Sequence, residues 1–139
     1  MSDQNETKEC AYVVEDSDVN RRVLVHLLRK MGYEVAEYEN GMKAWEALNA
    51  SDAQVPVAIF SDIMMPELDG LSLLKKLREE SAYKTVPFVL LTALSDKDSI
   101  VKAKSLLVDG YLLKPISYDK LRKKLIDLFP DKTFPKLAV

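Results

Sequence analysis

The side chains that set the chemistry open to this sequence are Glu15, Asp16, Asp62, Thr92 and Lys114, each standing at or just past the end of a short apolar run. Glu15-Asp16 follow Ala11-Tyr12-Val13-Val14, and Asp62 follows Val57-Ala58-Ile59-Phe60 by way of Ser61. Thr92 follows Phe88-Val89-Leu90-Leu91, and Lys114 follows Tyr111-Leu112-Leu113. Singly, each has a plain structural reading: Asp16 as a helix cap, Asp62 as a turn residue before Pro66, Thr92 as a strand end, Lys114 as a snorkelling surface lysine. On one rim they mean something else. Three crowded carboxylates repel one another unless a cation sits among them, and hard oxygen ligands suit Mg²⁺ better than zinc or copper. A lysine and a hydroxyl beside such a metal add a positive charge and a donor, so an anion can be held there, and the expected anion is phosphoryl.

The elements that would position these residues can be read from periodicity. The four runs above and a fifth, Tyr33-Glu34-Val35-Ala36, have strand composition, and four of the five are continuous enough to be buried on both faces. Between and after them lie amphipathic helical stretches, such as Leu24, Leu27, Leu28 and Met31 in the first and Leu121, Leu125, Leu128 and Phe129 in the last. Ser17, Asn40 and Ser95 are expected helix caps, and Gly32 suits the position just past a helix C-terminus. The order is βα repeated five times. Short connections then require a parallel sheet with right-handed crossovers and helices on both faces, a doubly wound α/β fold. In such sheets function gathers outside the carboxyl ends of the strands, where the five side chains stand. One domain is expected over 10–129, with flexible ends at 1–9 and from Pro130 to Val139.

Composition narrows the class. A 139-residue chain with 47% hydrophobic residues fills one core without disulfides, and Cys10 is its only cysteine, which fits a reducing, cytoplasmic setting. A net charge of -2 gives no electrostatic reason to expect nucleic acid or an anionic membrane as partner. No apolar run approaches the roughly 18 residues that a membrane span needs.

Taken together, Glu15-Asp16, the segment Asp62-Ile63-Met64-Met65-Pro66-Glu67-Leu68-Asp69-Gly70, Thr92-Ala93 and Tyr111-Leu112-Leu113-Lys114-Pro115 resemble the signature of response-regulator receiver domains, in the right order and on the right elements. The resemblance runs from about Cys10 to Phe129. It implies a flavodoxin-like sheet of strand order 2-1-3-4-5 and a phosphoacceptor role for Asp62. It also implies a Mg²⁺ site built from Glu15, Asp16, Asp62 and the backbone carbonyl of Met64, with Thr92 and Lys114 on the phosphoryl oxygens. Thr92 and Tyr111 would form the switch, and Met64 and Leu94 would border the path of the hydrolytic water. Both of these are apolar, so slow self-dephosphorylation is expected. The implied partners are a sensor histidine kinase or phosphotransfer protein and a downstream target protein, with the chain acting as a monomer or weak dimer. The bond before Pro115 is expected to be cis, as only X-Pro bonds allow at modest cost.

Two positions depart from the family pattern. Glu15 stands where Asp is commoner, a longer arm that reaches the metal directly or through water, and Leu107-Val108 replaces a small Gly-Ala pair, so the fourth helix is expected to pack differently. Other features have ordinary readings: His26 as a surface or boundary residue, Met42 and Trp45 as partly buried flanks, and Lys120, Arg122, Lys123 and Lys124 as the solvated face of the last helix. A magnesium-dependent aspartyl phosphatase of the haloacid-dehalogenase type would want a second Asp where Met64 stands, and a nucleotide site would want a Gly-rich loop where Glu15-Asp16-Ser17-Asp18 stands. A receiver-like interaction module without phosphate turnover is the remaining alternative.

Overall fold

The computed structural model describes residues 9–65, 67–79, 82–93 and 96–136. Strands β1 (Cys10–Val14), β2 (Glu34–Tyr38), β3 (Ala58–Asp62), β4 (Phe88–Thr92) and β5 (Gly110–Leu113) alternate with helices α1 (Asp18–Lys30), α2 (Gly41–Leu48), α3 (Gly70–Glu79), α4 (Lys97–Ser105) and α5 (Tyr118–Leu128). All pairings are parallel, in the order β2-β1-β3-β4-β5. This is the expected doubly wound, flavodoxin-like arrangement.

Alternation along the central strands divides the core into two layers. Ala11, Val13, Phe60, Val89 and Leu91 face α1 and α5, while Tyr12, Val14, Ile59, Phe88 and Leu90 face α2 and α3. Burying one Leu- or Phe-sized side chain contributes about 1.5–3 kcal/mol, so the three central strands, almost wholly buried, anchor the sheet that carries Glu15, Asp62 and Thr92. Local signals hold at several boundaries. Ser17 and Asn40 accept from the amides of Asn20 and Lys43 as helix caps, and Gly32 adopts φ 101 just past α1.

Elsewhere the structure corrects the expectation. Strand β5 is an edge strand, half covered, with Tyr111 turned outward, so only β1, β3 and β4 are buried on both faces. Strand β2 begins one residue later than Tyr33 and runs on to Tyr38. The cap position of α4 falls to Asp96, whose side chain accepts from the amide of Ala93; Ser95 lies outside the described residues. The Pro130–Val139 end is no loose tail as far as it is described: Phe134 is buried in the α1/α5 layer.

The unusual Leu107-Val108 pair is accommodated by a guanidinium. Leu107 adopts φ 63, a left-handed conformation costly for a side chain with a Cβ. Arg78 at the end of α3 donates to the Leu107 carbonyl from Nε (3.1 Å) and Nη2 (2.9 Å), and to the Asp109 carboxylate at 2.8 Å. Asp109 in turn accepts from the Phe88 amide at 2.7 Å, tying the turn before β5 to the start of β4.

Candidate functional site

At the carboxyl ends of β1 and β3, carboxylate oxygens of Glu15, Asp16 and Asp62 lie within 4.8 Å of one another. They differ in setting. Glu15 is buried, Asp62 is partly covered and Asp16 is exposed, so the cluster opens to solvent on the Asp16 side. Lys114 reaches in from the end of β5, its Nζ 3.0 Å from Glu15 Oε1 and 3.1 Å from Asp62 Oδ2. The contact to Glu15 is a Coulombic pairing without hydrogen-bond geometry, which leaves Oε1 a buried acceptor with no directed donor. Asp62 Oδ1 accepts from the Ile63 amide at 2.9 Å, which fixes the rotation of the carboxylate.

This donor set fits a hard divalent cation. It offers only oxygens, one of them an unsatisfied buried acceptor, and carries more negative charge than the single Lys114 neutralises. Burial, reinforced by the nearby Asp62 carboxylate, pushes the Glu15 carboxyl up to about 7 against an opposing pull from Lys114. Burial draws the Lys114 ammonium down, but its pairs with Glu15 and Asp62 outweigh that and leave it above the ordinary lysine value.

A pH dependence follows. A carboxyl ordinarily near 4.5 that rises to about 7 on folding binds its proton more tightly in the folded chain, so metal-free stability falls as pH rises through that window and levels off above it. A cation held directly by Glu15 would displace the same proton. Its affinity therefore rises by up to about tenfold per pH unit below the folded value and then flattens. Titration of Mg²⁺ at a series of pH values checks this, and Glu15→Gln removes the slope; a parent affinity flat across that window contradicts it.

The other expected site residues divide. Thr92 is fully buried at the end of β4, its hydroxyl directed at the Leu112 carbonyl at 3.5 Å rather than at the acidic cluster. Tyr111 is 45% exposed on β5 and Met64 73% exposed just after β3. Leu94 lies outside the described residues. The Lys114–Pro115 bond is cis, as expected. His26 is exposed, and Trp45 is half-buried with the Lys76 ammonium 5.5 Å from its ring centroid.

Two residues matter here that sequence reasoning passed over. Arg21 donates to the Glu15 carbonyl at 2.8 Å and pairs with Asp18 and Glu37, holding the loop that presents the acidic pair. Its signal was faint: an arginine in the first turn of a helix opposes the macrodipole and wants acidic partners. Gly70 opens α3 with its amide donating to the Ile63 carbonyl at 2.8 Å, its Cα face pressed against the Asp62 backbone.

Comparison with known proteins gives the family. The model of the response regulator receiver domain matches residues 11–126. The chemotaxis protein CheY1 of Helicobacter pylori is 38% identical over 115 residues, which cover 81% of this chain and 90% of that protein. The solved chemotaxis response regulator CheY4 of Vibrio cholerae has a TM-score of 0.77 at 30% identity, covering 88% of this chain and 99% of the other. The receiver domain of a Pseudomonas aeruginosa sensor histidine kinase, solved with a magnesium ion coordinated in its active-site cleft, has a TM-score of 0.78 at 28% identity, covering 89% and 99%.

Proposed function

Because this chain belongs to the response regulator receiver domain family, we propose that it is a phosphoacceptor switch of a two-component relay, taking a phosphoryl group from a phosphohistidine onto Asp62 and signalling through protein contacts in the cytoplasm. One observation carries the reading: the Asp62 carboxylate meets the Lys114 ammonium at 3.1 Å and lies within 4.8 Å of an acidic pair able to hold a cation. The donor is a sensor histidine kinase or phosphotransfer protein, and the reader is a downstream target protein.

Glu15, Asp16, Asp62 and the Met64 backbone carbonyl would hold Mg²⁺, which would supply neutralising charge for the transferring oxygens. The chain's own residues do the positioning. The Ile63 amide holds Asp62 Oδ1, while Oδ2 faces Lys114. A carboxylate oxygen attacks phosphorus in line with the P–N bond; the O–P bond forms as the P–N bond breaks, and imidazole leaves with the electron pair. Lys114 then releases the carboxylate for a phosphoryl oxygen, placing a charge-assisted contact where negative charge gathers. Thr92 turns from the Leu112 carbonyl toward the new dianion, and Tyr111 moves inward from its exposed position into the space vacated. The face formed by α4, β5 and α5 is thereby reset for the target.

Incubation with a small phosphodonor such as acetyl phosphate tests the reading. Label appears on the parent chain with magnesium and not with a chelator. A chain that takes no label in either condition is an interaction module without turnover.

Reversal requires a water to attack phosphorus and expel the carboxylate. Met64 offers no hydrogen-bonding group to orient it, and its side chain stands in solvent beside Asp62. The acyl phosphate is therefore long-lived. Met64→Asn introduces an acceptor and a donor at that edge and shortens the phosphate lifetime on the order of tenfold, read as decay of label after donor removal. An unchanged lifetime removes Met64 from the hydrolytic path.

A further inference from the structure

The match to the receiver family ends at residue 126, yet the chain stays folded well past α5. After Leu128 it turns, with the Lys132 amide donating to the Phe129 carbonyl at 3.0 Å, and runs back along α5 toward the end of the sheet that bears the site. Phe134 is 6% exposed in the layer between α1 and α5, its ring 6.2 Å from that of Tyr33. Two backbone carbonyls are caught by α5: Arg122 Nε donates to Phe134 at 3.2 Å, and the Tyr118 hydroxyl donates to Pro135 at 2.7 Å. Lys132 pairs with Glu9, just ahead of β1, and lies over the rings of Tyr33 and Phe129. These contacts span both ends of the segment, so 130–136 is a strap.

The strap grips the helix end from which the Lys114 loop hangs. Tyr118 is the first residue of α5, and only Pro115, Ile116 and Ser117 separate it from Lys114. Ile116 packs against the same apolar layer as Phe134. Lys120, in the first turn of α5, donates to the carbonyls of Leu113 at 3.3 Å and Pro115 at 3.1 Å. On the other side the loop is fixed by the Lys114 amide, which donates to the Thr92 carbonyl at 2.7 Å. The ammonium position is thus set by β4 at one end and by α5 at the other. The acidic residues lie off this loop: Asp62 ends β3, and Glu15 and Asp16 follow β1.

We propose that the strap of residues 130–136, acting through Tyr118, is a positioning element for Lys114, so that this chain sets its phosphoryl-contacting lysine with a segment outside the family match. The proposal rests on the phosphoacceptor reading for its chemical consequence, but the placement of Lys114 can be read without it.

The test uses the full chain with Phe134→Ala, which removes the anchor, and Tyr118→Phe, which keeps the ring and removes only the hydroxyl held by Pro135. Hydrogen exchange is followed at the Lys114 amide and, for reference, at the Ile59 amide in β3. Labelling by acetyl phosphate and Mg²⁺ affinity by calorimetry are measured in parallel. In Phe134→Ala, Lys114 exchange accelerates and labelling slows by about tenfold, with about threefold changes in Tyr118→Phe. Ile59 exchange rises by less than Lys114 exchange, since removing a buried Phe also lowers global stability, and Mg²⁺ affinity does not fall. The proposal is overturned if Lys114 exchange is unchanged in both variants. It is equally overturned if Lys114 and Ile59 accelerate by the same factor, since the strap would then hold only the fold. A parent chain that takes no label defeats the phosphoacceptor reading alone, because amide exchange at Lys114 is measured without any phosphoryl transfer.

Discussion

An Asp62→Asn variant takes up no phosphoryl label from acetyl phosphate, a loss of at least about 100-fold relative to the parent chain. The substitution is nearly isosteric. The asparagine carbonyl can still accept from the Ile63 amide, which holds Asp62 Oδ1 at 2.9 Å, so the loop keeps its place. What disappears is the anionic oxygen that attacks phosphorus, together with the charge facing Lys114 at 3.1 Å. An amide at that position is a poor nucleophile and gives no acyl phosphate. Circular dichroism of the variant matches the parent, which separates lost chemistry from lost fold. Label incorporated at the parent rate would place the acceptor elsewhere and dismantle the mechanism, since no other carboxylate of the cluster faces both Lys114 and the open side.

Replacing Gly70 with alanine carries the second large effect, and it acts on the backbone beneath the same carboxylate. A Cβ built on Gly70 meets the Asp62 carbonyl oxygen closer than real atoms approach and stands 3.1 Å from both the Asp62 carbonyl carbon and the Ile63 Cα. These are backbone atoms in the turn that carries the acceptor, so no side-chain rotation relieves the clash. Destabilisation of about 3 kcal/mol is expected, which for a domain of this size lowers Tm by about 10 °C. Labelling weakens with it, because the turn that aims Asp62 has to shift. Gly32→Ala is the natural comparison. Its φ of 101 is awkward for alanine, but nothing lies within 4 Å of the added atom, so only the conformational cost of about 1 kcal/mol is expected. Thermal unfolding of the two variants side by side decides the matter: equal melting temperatures would show that close approach at Gly70 is not what constrains the turn.

The strength of the sequence signals follows from how local they are. Ser17 and Asn40 were legible as caps because a cap bonds an amide three residues ahead, within reach of any reading of the chain. Glu15, Asp16, Asp62, Thr92 and Lys114 were legible as one rim because parallel connectivity puts all strand ends on the same side, whatever their separation in sequence. Strand β5 was misjudged because Tyr111-Leu112-Leu113 reads the same at an edge as in the middle, and only the strand order decides which it is. The roles of Arg78, Gly70 and the strap were missed for a common reason: their partners are backbone carbonyls, at Leu107, Ile63, Phe134 and Pro135, and a carbonyl leaves no trace in residue identity.

By itself, then, the sequence determined the βα order, the doubly wound sheet and the identity of the side chains at its functional edge, since hydrophobic period and connection length leave few other solutions. Tertiary structure alone decided how those side chains stand to one another. It turned Lys114 between Glu15 and Asp62, directed the Thr92 hydroxyl at Leu112, and folded the chain beyond α5 back onto the core. The physical reason is range. Burial period and capping are set within a few residues, whereas pairing of buried charges and capture of distant carbonyls depend on distances that exist only once the layers have packed.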